Sequence, residues 1–340
     1  MTSTTDGTPD GTADGTAGDV VLVLLDHLEG RLRPTSLELL TLARSLPGAQ
    51  VHAVWSGPGP DGAALAVVGA HGATTLHRVE VEGADERTTA AAVDALVAVV
   101  GAAAPSLVLV ASTFEDKEVA ARLAVRTGGG VVTGAHGVER TGDGWLVRKS
   151  VLAGSWGTAC AVTGRLAVVA LSPHAVRASA LEGAAPPAVV EHRVEASAAA
   201  RAVTVVSRAP RPTGDRPPLA EAEVVVVGGR GVEGDFTAVE ELADVLGAAV
   251  GATRVATDEG WIGHEAQVGQ TGVTISPRLY VGAGVSGAVH HRGGMDASWT
   301  VVAVNSDPDA PIFEFADYGV VGDLTEVLPA LAAELRRRRG

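Results

Sequence analysis

The stretch Val224-Val-Val-Val-Gly-Gly-Arg-Gly231 sets the expected fold of the second half of the chain. A run of valines leads directly into a glycine-rich turn, and residues 236–246 then place apolar side chains at helical spacing. Further strand-like segments begin at Ala248, Tyr280 and Val301. Strands that alternate with helices predict an α/β domain with a parallel sheet.

Polar clusters lie between these apolar segments, each after a short segment rich in Val, Ala or Ile. The carboxyl ends of parallel strands open at one edge of a sheet, and ligands bind there. The clusters therefore predict one ligand site rather than several. They are Gly228-Gly-Arg-Gly231, Gly251-Ala-Thr-Arg254, Gln267-Val-Gly-Gln-Thr271 and Ser286-Gly-Ala-Val-His-His291, followed by Asn305 and the run from Ala310 to Gly319.

Composition narrows the class of protein. A chain of 340 residues suggests about two domains, and 46% hydrophobic residues supply their cores. The net charge of −14 argues against nucleic acid or an anionic membrane as a partner. The single cysteine, Cys160, excludes a disulfide within the chain. No apolar run approaches the ~20 residues of a membrane span, so we expect a cytoplasmic protein without membrane insertion.

The first half of the chain shows the same alternation of strands and helices, followed by a different pattern. Strand 20–25 precedes a helix for which Ser36 is the candidate N-cap. Short β segments with turns between them then suggest an antiparallel addition to the sheet or its edge, and one more strand is expected before the proline-rich stretch. These segments are Trp145 to Val151, Thr158 to Val162 and Leu166 to Leu171, and the last strand is Val203 to Ser207.

Composition shifts divide the chain into two α/β domains. Residues 1–18 are low-complexity Thr, Gly, Asp and Ala, which predicts a disordered tail. Proline recurs through residues 208–219, which predicts a stiff linker. We therefore expect an N-terminal nucleotide-binding-like domain at 19–207, a second domain with a parallel sheet at 220–335, and a basic tail at 336–340.

The glycine loop has two interpretations. Gly229-x-Gly231-x-x-Gly234 follows a strand and precedes a helix, as in dinucleotide-binding proteins, and Asp258 lies where a ribose-binding acid could fall. On this pattern a nicotinamide-dependent dehydrogenase is the alternative function. The other interpretation is a tight turn alone, which a chain with 43 glycines could reach by chance.

The remaining clusters suit ligand binding better than covalent catalysis. Arg254 supplies a permanent positive charge, whereas Gln270 and Thr271 supply directional hydrogen bonds between glycines. His290 and His291 are adjacent, and on a strand they would point to opposite faces and could not share a metal ion. No nucleophile–base pair or metal-ligand spacing is evident, so these groups are better suited to holding a redox group.

Together the motifs resemble the alpha subunits of electron transfer flavoproteins. Gly-Gly-Arg-Gly at 228–231, Gly-Ala-Thr-Arg at 251–254, Gln-Val-Gly-Gln-Thr-Gly at 267–272, Ser-Gly-Ala-Val-His-His at 286–291 and Asn-Ser-Asp-Pro-Asp-Ala-Pro-Ile-Phe at 305–313 occur in that family's order. The resemblance covers residues 223–335 strongly and the first domain more weakly. It implies a non-covalent FAD in an FAD-binding second domain.

The resemblance also implies which residues bind FAD. Arg254 would lie by the isoalloxazine ring, Thr271 would face flavin N5, His291 would reach the O2 edge, and Asn305 and Asp323 would lie on the adenosine side. Arg254 and His291 would then place positive charge or donors where reduction adds negative charge. The complete expected set is Arg230, Thr253, Arg254, Val268, Gly269, Gln270, Thr271, Ser286, Gly287, Ala288, Val289, His290, His291, Asn305 and Asp323.

The partners are likewise implied by the resemblance. The family forms a heterodimer in which a beta subunit carries AMP and packs against the first domain of the alpha subunit. It passes electrons from acyl-CoA-type dehydrogenases, as in fatty acid β-oxidation, to an electron transfer flavoprotein quinone oxidoreductase. The chain departs from the usual pattern at Thr253, Val273, His290 and Ser306, where the family commonly has Ser, Lys, Gln and Lys.

Overall fold

The computed structural model describes residues 19–339 except 29, 86–87, 143, 153–155 and 208–215. The predicted tail at 1–18 and the greater part of the predicted linker, 208–215, lie outside the described residues. Elsewhere the described chain forms two sheets flanked by helices, and a separate two-stranded hairpin.

The first sheet has nine strands in the order β11-β5-β4-β1-β6-β10-β7-β8-β9. Strands from β11 to β7 are parallel to their neighbours, and β7, β8 and β9 are antiparallel. The strands are β1 (Val20–Leu24), β4 (Gln50–Ser56), β5 (Thr75–Glu82), β6 (Leu107–Ala111), β7 (Gly130–Thr141), β8 (Gly144–Val151), β9 (Trp156–Val162), β10 (Ala167–Leu171) and β11 (Ala188–Glu195), and the hairpin is β2 (His27–Leu28) with β3 (Arg31–Leu32).

Helices cover both faces of this sheet, which explains why its central strands are apolar throughout. Every residue of β6 and β10 is buried, as expected for parallel strands between two helical layers. One layer packs α1 and α2 against β1 and β4, and the other packs α3 and α4 against the opposite face. The helices are α1 (Pro34–Ser45), α2 (Gly62–Ala70), α3 (Thr89–Ala103), α4 (Phe114–Thr127) and the short α5 (Ala198–Arg201).

Three expectations for this half are wrong. Segment 166–171 is a central parallel strand rather than part of the antiparallel addition, because it pairs with both β6 and β7. Residues 203–207 form no strand and are exposed. Ser36 is not the N-cap of α1: that position is Arg33, and the Ser36 hydroxyl instead donates to the Asp26 carbonyl at 3.0 Å.

The second sheet is parallel throughout, with the order β13-β12-β14-β15-β16. Its core is built largely from valine and alanine, with α6 and α9 packed on one face. The prediction of two α/β units, the second with a parallel sheet, is confirmed. The elements are β12 (Val224–Gly228), α6 (Thr237–Leu246), β13 (Ala249–Ala252), α7 (Arg254–Asp258), β14 (Leu279–Ala283), α8 (Val289–Arg292), β15 (Val301–Asn305), β16 (Tyr318–Val321) and α9 (Leu324–Arg339).

Contacts between the two units involve the entry to β12. Arg33 forms an ion pair with Glu221, and the Ser276 hydroxyl donates to the Pro173 carbonyl at 2.5 Å. His174 beside this contact has φ +58°, an unusual backbone conformation for a residue with a side chain. Its ring lies 3.3 Å from the buried Glu38 carboxylate. The basic residues 336–339 form the last turn of α9.

Three histidines form a continuous line across the edge of the first sheet. His52 on β4 contacts His77 on β5 through Nδ1 and Nε2 at 3.0 Å, and His77 Nδ1 contacts His192 Nε2 on β11 at 2.9 Å. His77 is buried, and burial together with its two imidazole neighbours lowers its pKa to about 4. The line therefore holds a neutral ring at its centre at pH 7.

Candidate cofactor-binding site

The loops that follow the strands of the second sheet are joined to one another by backbone hydrogen bonds. The amide of Gly231, in the loop after β12, donates to the Gly284 carbonyl after β14 at 3.1 Å. The Thr253 amide after β13 donates to the Gly228 carbonyl at 3.0 Å. The expected clusters therefore lie together at the carboxyl edge of the sheet, as parallel strand ends require.

The glycines of the first loop allow two turns to approach closely. A Cβ added to Gly229 would overlap the Gly284 carbonyl oxygen, and one added to Gly231 would lie 2.8 Å from the Gly284 Cα. Arg230 between them begins a 3₁₀ turn and is exposed. The absence of side chains at Gly229 and Gly231 is thus explained by packing between the two loops.

Thr253 and Arg254 mark the end of β13 and the start of α7. Thr253 occupies the N-cap position, but its hydroxyl caps no backbone amide and is buried without a hydrogen-bond partner among the described residues. Arg254 is exposed, and its Nε lies 3.2 Å from the Asp258 carboxylate. Asp258 therefore pairs with a neighbour on its own helix, one turn away.

Gln267 organises the third loop, although it is not among the fifteen residues that were expected to bind FAD. Its amide oxygen lies 3.0 Å from the Thr257 hydroxyl, whose one proton also faces the Arg254 carbonyl at 2.9 Å, and its amide nitrogen donates to the Thr271 hydroxyl oxygen at 3.0 Å. Thr271 is exposed, and because its oxygen accepts from Gln267, its hydroxyl proton stays available to an acceptor outside the loop. The signal available in the sequence was its position as the first residue of the Gln-Val-Gly-Gln-Thr-Gly motif, whereas its burial is seen only in the structure.

His290 and His291 lie on the short helix α8, so the expectation that they would alternate on a strand is wrong. His290 is exposed, and its Nδ1 lies 3.0 Å from the Gln270 amide oxygen. His291 is buried, with Nδ1 3.0 Å from the Val268 carbonyl and Nε2 2.8 Å from the Tyr280 hydroxyl. Of the two neighbouring histidines, His290 therefore faces solvent and His291 faces the protein interior.

His291 was expected to bring either a positive charge or a hydrogen-bond donor to the site, and burial removes the first of these. Its pKa falls to about 4 because the protein around it disfavours the charged ring, an effect that the Val268 carbonyl only partly offsets. At pH 7 the ring is neutral and both nitrogens contact protein atoms. Arg230 and Arg254 therefore supply the permanent positive charge among the predicted site residues.

Asn305 and Asp323 complete the same edge. The Asn305 amide nitrogen donates to the Val285 carbonyl at 3.0 Å, and the Gly322 amide donates to the Asn305 carbonyl at 3.0 Å. The Asp323 carboxylate accepts from the Thr325 amide and hydroxyl at the start of α9, which holds the pKa of that carboxyl low. The site thus extends from β13 to the outer strand β16.

The site is an open shelf. Its buried members support the loops from below, and the exposed ones form its upper surface. The buried residues are Thr253, Val268, Gly269, Gly287 and His291, Asn305 is half-buried, and the exposed ones are Arg230, Arg254, Gln270, Thr271, Ser286, Ala288, Val289, His290 and Asp323.

Other features of the described residues do not compete with this shelf. No group of three or more histidine, cysteine or acidic side chains among them could hold a metal ion. A cavity of about 340 Å³ lies between α3, α4 and α5, and one of about 240 Å³ lies between the two units near His174. Within the part of the chain that the structure covers, no helix is long and apolar enough to cross a membrane.

Comparison with known proteins decides the family. An electron transfer flavoprotein domain model matches residues 21–197, and an electron transfer flavoprotein FAD-binding domain model matches residues 218–296. The electron transfer flavoprotein subunit alpha of Mycobacterium leprae is 42% identical over 321 residues, or 94% of this chain and 99% of that protein. The chain belongs to the electron transfer flavoprotein alpha subunit family.

Other alpha subunits agree over the same length. That of Mycobacterium tuberculosis is 43% identical over 94% of this chain and 99% of that protein, and that of Syntrophomonas wolfei is 39% identical over 93% and 98%. A solved structure titled as a glycotransferase of kitacinnamycin matches with 14% identity over 94% of this chain and 93% of that chain, at a TM-score of 0.27 that is too low to support an argument.

The shelf of this alpha subunit fits the flavin cofactor of its family. The buried Thr253 hydroxyl lacks a protein partner, and such groups are rare unless a ligand or water pairs with them. Exposed guanidinium groups at Arg230 and Arg254 suit the anionic parts of FAD. The Thr271 hydroxyl keeps a free proton for an acceptor. The second unit is accordingly an FAD-binding domain, and the alpha subunit is an electron carrier flavoprotein.

Proposed function

We propose that this alpha subunit pairs with an electron transfer flavoprotein beta subunit and carries electrons from acyl-CoA-type dehydrogenases to a quinone oxidoreductase. The observation that carries the proposal is the convergence of the five family motifs on one shelf. The beta subunit would bind AMP and pack against residues 19–207. The complex would serve fatty acid β-oxidation in the cytoplasm, without substrate chemistry of its own.

The fifteen predicted residues would hold FAD in an extended form across the shelf. Arg254 would lie beside the ring, Thr271 would donate to it, and Asn305 and Asp323 would bind the adenosine end. Bound FAD supplies the redox chemistry. The chain positions it and places the Arg254 charge where reduction adds negative charge, which favours the reduced form. His291 would act as a neutral group.

The nicotinamide alternative gains no support from the geometry. Gly229 and Gly231 are accounted for by their contact with Gly284, and Asp258 pairs with Arg254. No acid–base pair for a substrate was evident in the first half of the sequence. Tight NAD binding by protein that lacks flavin would nevertheless reopen it.

Purification of the chain with its beta partner tests the proposal. We expect yellow protein that releases FAD on denaturation, takes up two electrons per flavin in stepwise reduction, and accepts electrons from an acyl-CoA dehydrogenase with its substrate. Colourless protein that fails to take up added FAD would refute the cofactor assignment. FAD-loaded protein that no acyl-CoA dehydrogenase reduces would refute the donor class only.

A further inference from the structure

Tyr280 lies beneath the shelf, outside every motif that the sequence analysis identified. It is on β14 and is fully buried, and its hydroxyl is 2.8 Å from His291 Nε2. Two residues further along the strand is Gly282, where a Cβ would come within 2.9 Å of the Tyr280 ring and 3.1 Å of its hydroxyl oxygen. The strand therefore leaves room for a phenol that reaches His291.

The contacts of His291 determine where its proton lies. The Val268 carbonyl oxygen can only accept a hydrogen bond, so Nδ1 of His291 carries the proton that it receives. In a neutral ring Nε2 then has no proton and must accept. Tyr280 is the donor, because burial raises the pKa of its hydroxyl and keeps it protonated.

This chain of hydrogen bonds ends in a loop of the cofactor site. Val268 begins the segment whose Gln270 amide donates to the His290 carbonyl at 3.0 Å, so His291 and its neighbour hold that loop at two points. Phenylalanine would fill nearly the same space as Tyr280, so packing alone does not explain the tyrosine. What the hydroxyl adds is its hydrogen bond to His291.

We propose that Tyr280 is a positioning residue of the FAD site, which holds the His291 ring in one orientation and one protonation pattern and thereby fixes the Val268 carbonyl and the loop at 268–271. The inference rests on the proposed function, because it assigns the loop to FAD. It makes the histidine a structural link between β14 and the loop. Tyr280 touches no cofactor atom and acts through His291.

Nitrogen NMR of full-length protein with labelled histidine, purified with its beta partner, tests the protonation pattern before any variant is made. We expect His291 to show a protonated Nδ1 and an unprotonated, hydrogen-bonded Nε2, both unchanged between pH 5.5 and 8. In Tyr280→Phe, the Nε2 resonance should move toward that of an imine nitrogen without a hydrogen bond. A protonated Nε2 in the wild type, or no movement in the variant, would overturn the inference.

FAD affinity measures the consequence for the loop. Tyr280→Phe leaves a buried nitrogen without a donor, so we expect the Kd for FAD to rise roughly tenfold. Thr127→Val removes a hydroxyl from α4 in the first unit, where it bonds only within its own helix, and should leave both readouts unchanged. A moved Nε2 resonance with unchanged affinity would overturn the positioning role. Wild-type protein that takes up no FAD would overturn the proposed function and this role with it, whereas the NMR would still decide the protonation pattern.

Discussion

Thr253 combines two properties that rarely occur together in a folded protein. Its hydroxyl is buried, and it has no partner among the described residues. A buried polar group in that state costs free energy in the ligand-free protein. The residue is therefore better explained by a bound ligand than by stability, because a valine of the same shape would avoid that cost.

Substitution of Thr253 separates these two effects. Thr253→Val should leave the free energy of unfolding of the ligand-free protein unchanged or raise it by up to about 1 kcal/mol, since no hydrogen bond is lost. The same change should weaken FAD binding several-fold, as measured by titration of flavin fluorescence. Thr253→Ser keeps the hydroxyl and serves as the control. A valine variant with normal FAD affinity would show that the hydroxyl has no role toward the cofactor.

Arg254 carries its charge into solvent, so its effect should appear in the cofactor and not in stability. Arg254→Ala should raise the Kd for FAD at least roughly tenfold, because a charged hydrogen-bond donor is lost. It should also lower the reduction potential of the bound flavin. Arg337→Ala removes an equally exposed arginine from α9 and should change neither quantity. An unaltered potential in Arg254→Ala would contradict its assignment beside the ring.

His290 and His291 show where sequence reasoning stops at the residue scale. Their place in the site was predictable from the motif, but their element was not. The short apolar segment Ala288-Val289 reads equally well as strand or helix. Only the fold reveals that His291 turns inward onto Tyr280 and loses its charge, because burial is decided by residues distant in sequence.

Among the elements, the close contact between the loops after β12 and β14 depends on glycine. Gly229 and Gly231 lie against Gly284, and hydrogen bonds from both amides lock the contact. The contact also sets the position of Arg230. A side chain here would push apart two loops of the proposed FAD site, so stability and cofactor affinity should change together.

Gly229→Ala should lower the free energy of unfolding by about 1–3 kcal/mol, because the new methyl group overlaps the Gly284 carbonyl. FAD affinity should fall as well. Gly101→Ala is the matched control: this glycine lies within α3, a methyl group there meets nothing within 4 Å, and helix propensity should stabilise the variant by about 0.5–1 kcal/mol. Urea unfolding measures both. Equal stability of the two variants would exclude the packing explanation.

The sequence located buried strands accurately and exposed strands poorly. Val224-Val-Val-Val and residues 20–25 are apolar throughout and were located within a residue. By contrast, β11 is an edge strand with mostly exposed, mixed residues, and it was missed. Residues 203–207 read as a strand but pair with no other in the described chain, since pairing depends on the tertiary fold.

For the whole molecule, the junction between the two units concentrates ionisable groups around His174. The Glu38 carboxylate accepts from the His174 amide at 2.8 Å and faces its ring. Hydrogen bonding to Glu38, together with the charges of Glu38 and Glu223, raises the pKa of His174 despite its burial. Glu223 precedes β12, so the charge of a histidine in the first unit interacts with the second.

A histidine with a raised pKa stabilises the folded protein when it is protonated. That contribution is fully present below the ordinary value of about 6.5 and is lost as pH rises through the raised pKa. Wild-type protein should therefore lose more stability than His174→Asn between pH 6 and pH 9, as measured by urea unfolding. Asparagine tolerates the left-handed backbone of position 174, which makes the comparison fair.

His264→Asn tests whether any histidine would give the same result. His264 is exposed and remote from the junction, so its variant should follow the wild-type pH dependence. Parallel curves for the wild type and His174→Asn would contradict the linkage between His174 and folding.

The two hydrogen bonds along the line His52–His77–His192 run in the same direction, set by which ring nitrogens carry the protons. His77 uses both ring nitrogens for its neighbours, so in the neutral state its one N–H points either to His52 or to His192. Each choice dictates the tautomer of the other two rings. When all three rings are neutral, their protons have only two possible arrangements along the line. A change of tautomer in one ring therefore requires a change of tautomer in the other two. The edge strand β11, which the backbone ladder already joins to β5, is thus also coupled to β4 through the proton positions of these rings.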